Sequence, residues 1–276
     1  MVNETEGAAW ARLLGVTSNA STADVCRAFE QLVKSTLAPQ DLCGIPFYAL
    51  SIAELPDEHR PIMRHFGGIY VELGFWTWRK FIPSDSGPGP LVVVDDLLSA
   101  DRMTLGVGIA RALCKDKRQH FDEEETARIV QESMLPALAN TLVHEAAHAL
   151  DLLPFWLETA DLLEGFRGAD RGAVRIAEDI VRLQETQHEP PPLNPLNHGP
   201  SFVRVMAHLD ERLRRIGVRM GNPFPSERYG GQPTFDRYRM ALTSELQRSP
   251  NRSFAEITKR RPPRAFRNLA ALAPVA

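Results

Sequence analysis

The spacing of apolar residues divides the chain into three stretches. From the start to about residue 59 it is helical: Ser21-Thr22-Ala23-Asp24 reads as a capping start, and Val25, Phe29, Leu32, Val33 and Leu37 recur at helical spacing until Pro39. Between about 66 and 98 the pattern shortens. Ile69, Val71, Phe75, Trp76, Trp78 and Phe81 precede a turn-rich run from Pro83 to Pro90 and then Leu91-Val92-Val93-Val94, which predicts two or three strands. After Asp101 helical spacing returns, broken at Pro136, at the glycines near 165–172 and at the prolines of 190–200. Beyond Pro250 come Arg252, Lys259, Arg260, Arg261, Arg264 and Arg267 among prolines, a composition that predicts a mobile end. No repeat with a period of roughly 20–50 residues is present.

One helical window has an unusual face. In Thr141-Leu-Val-His144-Glu145-Ala-Ala-His148-Ala-Leu-Asp151, two histidines stand one turn apart with a glutamate beside the first. At about 100° per residue, with His144 at zero, His148 falls near 40°, Thr141 near 60° and Asp151 near −20°. Leu135, Leu138, Leu142, Ala146, Ala149, Leu150 and Leu153 all fall between roughly 120° and 240°, so the apolar stripe lies opposite the imidazoles. Such a helix buries its back and turns its histidines to a cleft. Glu145, near 100°, stands on the shoulder, where a carboxylate can take a proton from a metal-activated water without binding the metal. The bland reading of the same residues is a solvated amphipathic helix that happens to carry two histidines.

A second feature shifts the balance. Asn197-His198-Gly199-Pro200-Ser201-Phe202 opens another helical pattern, with Phe202, Val205, Met206, Leu209, Leu213 and Ile216 recurring before Gly217, and with Pro200 suited to a first turn. A helix there could pack beside the first and leave His198 placed to complete a three-histidine site. Catalytic zinc takes three protein ligands and keeps a fourth position open.

With both segments in view, the chain resembles the SprT-like family of zinc metallopeptidases, whose pattern is His-Glu-x-x-His followed some tens of residues later by His-Gly-x-x-Phe or Trp. The resemblance covers about residues 66–216. It implies a zincin-like α+β fold, mostly helical, with a small sheet packed on the active-site helix. It also implies Zn2+ held by His144, His148 and His198, Glu145 as the catalytic base, and a protein or peptide substrate. Two features depart from the family pattern: 49 residues separate His148 from His198, and no cysteine follows Cys114 to build a zinc ribbon. The implied organisation is an N-terminal helical extension over 1–59, a metallopeptidase core over 60–245 and a flexible basic tail over 246–276.

Alternatives stay open for several roles. In gluzincin peptidases a glutamate is the third ligand, and here Glu178 leads a set that includes Glu158, Asp161, Glu164 and Glu185. Tyr229, Tyr238 or an arginine could stabilise the oxyanion. Asp151 could orient a ligand histidine or lie exposed near a helix end. His188 and His208 could mimic ligands, but His208 lies within a helical pattern and His188 in an approach to prolines, so both read as surface or packing residues, and His59, His65 and His120 read as ordinary. The strand nearest the cleft is expected to take substrate as an added extended strand.

Composition narrows the setting. A chain of 276 residues, 43% hydrophobic, can bury one compact core without disulfides. Its formal net charge of −3 gives no global attraction to nucleic acid or anionic membrane. No apolar run approaches the roughly 18 residues of a membrane span, and the start is not that of a secretory leader, so the expected location is the cytoplasm. Cys26, Cys43 and Cys114 are odd in number and widely spaced, as reduced thiols would be. Cys114 with His120 lacks an orienting group for nucleophilic catalysis, and Gly106-Val107-Gly108 lacks the rest of a dinucleotide fingerprint. Phe75–Phe81 interleaves aromatic and basic residues, which suits single-stranded nucleic acid and equally an alternating core strand. The basic tail suits a weak nucleic-acid contact and equally a solvated charge run. The competing functional class is a zinc-binding interaction or DNA-associated module without turnover, for which Glu145 has no use.

Overall fold

The computed structural model describes residues 5–17, 19–55, 57, 68–71, 90–99, 102, 132–151, 153, 199–221, 231–249 and 251–272. Helix α1 spans Glu6–Leu14, begins with the Thr5 hydroxyl accepting from the Ala8 amide at 3.2 Å, and stops at Gly15, whose φ of 64° is open to glycine. Helix α2, Thr22–Leu32, carries the expected capping box: the Asp24 amide donates to the Ser21 hydroxyl at 3.2 Å, and the Ser21 amide to the Asp24 carboxylate at 3.0 Å. It runs on into a π-helical turn, Val33–Leu37, in which the Ala38 amide bonds the Val33 carbonyl at 2.8 Å. Arg212 donates to the Leu37 carbonyl at the end of this turn. Val25, Phe29, Leu32, Val33 and Leu37 are all buried, as their spacing requires.

Three strands form one sheet in the order β1-β3-β2, where β1 is Tyr48–Ser51, β2 is Gly68–Val71 and β3 is Leu91–Val94. Strand β1 runs parallel to β3 with Tyr48 opposite Leu91, and β2 runs antiparallel to β3 with Gly68 opposite Val94. Two of these strands, β2 and β3, fall within the stretch from 66 to 98 where the sequence predicts strands. The third, β1, corrects the helical reading of residues 1–59. Four residues are too few to show a period, and β1 exists through its pairing with β3 far downstream and through Glu30, whose carboxylate accepts the Ala49 amide at 2.8 Å on the open edge. All four residues of β3 are buried because both sheet faces are covered: Val92 and Val94 join the main core, and Leu91 and Val93 pack with Tyr48, Ile52 and Leu55. The segment Phe75–Phe81 lies outside the described residues.

Five further helices complete the described α+β fold. Helix α3 covers 132–151, α4 is Pro200–Arg215, α5 is Gly231–Arg248, α6 is Phe254–Lys259 and α7 is Arg264–Leu272 with α6 and α7 joined through Pro262-Pro263. The expected flexible tail is therefore corrected over 251–272. Phe254, Ile257 and Phe266 are buried, and the Asp41 carboxylate accepts the Phe254 and Ala255 amides at 2.7 and 3.2 Å, capping α6 from the other end of the chain. Three apolar anchors and a cap outweigh the charge that made the segment look solvated. Trp10, Phe29, Val92, Leu142, Phe202, Leu242 and Phe266 all belong to one core, so packing crosses both expected domain boundaries. Among the described residues no helix is long and apolar enough to cross a membrane.

Candidate metal centre

Helix α3 is anchored by its back. Leu138, Ala139, Leu142, Val143, Ala146, Ala147, Ala149, Leu150 and Leu153 are buried, and the helix start lies so close to α1 that a Cβ on Gly7 would come within 2.6 Å of the Glu132 carbonyl oxygen. Glu6 adds a polar tie, accepting from the Asn140 side chain at 3.1 Å and from the Gly221 amide at 3.0 Å. Beyond its first turn, from 136 to 151, what remains accessible is a narrow stripe of Ala137, Asn140, Thr141, His144, His148 and Asp151, all within about 60° of His144 around the helix. This is the face that the spacing predicts. Glu145 sits beside it and is buried, 8% exposed, so its carboxylate is held at the margin of the stripe and largely out of solvent.

The first turn of α4 covers part of the stripe. Gly199 is its cap, in extended conformation, and Pro200 occupies the first position, where the missing amide is harmless. Phe202, fully buried, lays its ring against His148 with centroids 4.2 Å apart and planes 28° apart, and meets His144 edge-on at 5.1 Å. One residue earlier, the Ser201 hydroxyl donates to the Asp151 carboxylate at 2.5 Å. Burial pushes the Asp151 carboxyl above its ordinary range, and the Ser201 hydrogen bond pulls against that rise. Asp151 is thus a half-buried partner of Ser201. That pairing was not legible beforehand, although a signal existed: Asp151 and Ser201 each follow a motif histidine by three residues.

The two imidazoles suit a shared metal. Rings bound through one nitrogen each to a tetrahedral zinc, at about 2.0–2.1 Å per bond, hold their centroids roughly 5 Å apart. Those of His144 and His148 are 5.1 Å apart with planes 75° apart. Among the described residues no three His, Cys, Asp or Glu side chains converge as a complete ligand set. The expected third donor, His198, and the alternatives Glu158, Asp161, Glu164, Glu178 and Glu185 lie outside the described residues, as do Tyr229, His59, His65, His120 and His188. Tyr238 packs on Phe266 of α7 at 5.5 Å. His208 is buried on α4 against Glu245, 3.0 Å away, which selects packing from the two roles expected of it. Cys26 is a buried thiol, raised well above its usual range by burial, and Cys43 is exposed.

No family model, curated protein or solved structure matches this chain.

Proposed function

We propose that the chain is a zinc-dependent metalloendopeptidase of the SprT-like kind, with a zincin-like fold, acting on protein or peptide substrates in the cytoplasm. The observation that carries this reading is the stack of Phe202 on His148. It joins the two motifs, fifty residues apart in sequence, at the face where the imidazoles stand, and His198 is joined directly to Gly199, the cap of the helix that bears Phe202. His144, His148 and His198 would hold the ion. When bound, zinc supplies Lewis acidity toward water and the scissile carbonyl. Glu145 does the proton work: it takes the proton of the attacking water and returns it to the leaving amine. Its position at the edge of the imidazole stripe, 8% exposed, supports that role.

Elemental analysis of the purified wild type, His198→Ala and Glu145→Gln, with casein cleavage assayed alongside, tests the reading. The expected result is one zinc per wild-type chain, weaker retention in His198→Ala, and full zinc without cleavage in Glu145→Gln. A metal-free wild type would refute it, and stoichiometric zinc with no cleavage by the wild type would leave a non-proteolytic zinc-binding module.

A further inference from the structure

Two neighbouring residues of α4 grip α3 in different ways. The Ser201 hydroxyl donates to Asp151 at 2.5 Å, and the next side chain, Phe202, lies flat on His148 and edge-on to His144. Asp151, His144 and His148 fall at about −20°, 0° and 40° on one stripe of α3, so both contacts act on the same narrow face. A ring stacked on an imidazole restricts the swing of that imidazole about its side-chain torsions. Apolar stacking tolerates sliding, however. The hydrogen bond is directional and stops α4 from shifting along the stripe, which would carry Phe202 off His148.

We propose that Asp151 and Ser201 are positioning residues whose hydrogen bond sets the register of α4 on α3, so that Phe202 holds both imidazoles ready for a metal ion. The proposal rests on the metal-centre reading of His144 and His148. Preorganised ligands bind without first losing rotamer freedom, and groups that orient ligand histidines commonly carry 10- to 100-fold in metal affinity. Because this bond acts through Phe202, the effect of losing it is placed at the low end, about tenfold.

The test is the zinc dissociation constant of the full chain, by chelator competition, for the wild type, Ser201→Ala, Asp151→Ala, the double variant, Ser201→Thr and His148→Ala. The melting temperature of each metal-free protein is measured in parallel. Each single alanine variant is expected to weaken zinc about tenfold and the double variant no further, because the two residues act as one unit. Ser201→Thr, which keeps the hydroxyl, should restore wild-type affinity. Unchanged affinity in the single variants, losses that multiply in the double variant, or a fall in metal-free melting temperature with no change in affinity would overturn the proposal. Zinc binding that needs His148 but not the hydrogen bond would sink this proposal alone. A wild type that holds zinc no better than His148→Ala would sink the metal-centre reading and this proposal together.

Discussion

Arg204 of α4 and Glu245 of α5 meet fork to fork, with Nε and Nη2 of the arginine donating to the two carboxylate oxygens at 2.8 and 2.6 Å. The guanidinium is 3% exposed, and its Nη1 donates to the Arg260 carbonyl at 2.7 Å, so a single side chain ties α4 to α5 and to the end of α6. Glu245→Ala would leave this guanidinium buried without its counter-charge. The expected cost is about 3–5 kcal/mol of unfolding free energy, read from urea unfolding with an unchanged denaturant slope. A cost under about 1 kcal/mol would show that water replaces the carboxylate.

The same carboxylate faces His208, and the pair sets a pH dependence. Burial pushes the His208 imidazole below its ordinary range, assisted by Arg212 and Arg204, and outweighs the opposing pull of Glu245. Burial also works to raise Glu245, but hydrogen bonds from His208 and Arg204, with their charges, hold it down at about 2. For His208 the unfolded chain takes up a proton at a higher pH than the folded one. Its contribution to stability is therefore complete above about 6.5 and declines as pH falls below that value. The Glu245 contribution is complete above its unfolded value and is lost as pH falls toward about 2. Urea midpoints measured from pH 7.5 to 4 should fall in the wild type and less steeply in His208→Gln between pH 6.5 and 5. Parallel curves would exclude His208 as the source.

Asp41 holds the C-terminal helices from the far end of the chain. Its carboxylate accepts two amides of α6, while burial raises its pKa above the usual carboxylate range. Asp41→Ala should cost about 1–2 kcal/mol, as loss of a helix cap does. Tryptic cleavage between Lys259 and Arg264 should become faster under native conditions. Unaltered cleavage there would show that Phe254, Ile257 and Phe266 suffice to hold the segment.

Gly7 separates two rules that oppose each other. Helix propensity favours Gly7→Ala inside α1 by about 1 kcal/mol. The new Cβ, however, would meet the Glu132 carbonyl oxygen at 2.6 Å, and a backbone atom cannot swing away. Overpacking costs about 1–3 kcal/mol, so the net expectation is a lower melting temperature. A higher one would mean that α1 and α3 part easily.

Glu145→Gln isolates proton transfer from metal retention. Loss of a general base typically lowers turnover by about 10²–10⁴-fold, and zinc affinity should stay at the wild-type value because Glu145 is assigned no bond to the ion. Equal loss of zinc and activity would place Glu145 among the ligands instead.

The sequence by itself determined what depends on neighbours within a turn or two. The Ser21–Asp24 capping box, the burial of Val25, Phe29 and Leu32 and the accessible stripe of His144 and His148 were legible there, because helix geometry converts a period directly into a face. Tertiary structure decided what depends on partners far along the chain. Strand β1 pairs with residues more than forty positions away, and α6 stays docked because Asp41 and the core receive it. Arg204 tolerates burial because Glu245 arrives from another helix, and Ser201 and Phe202 come to lie on Asp151 and His148. No local period encodes such meetings. They arise when apolar faces from separate segments are buried together, and that burial brings the polar groups at their edges into contact.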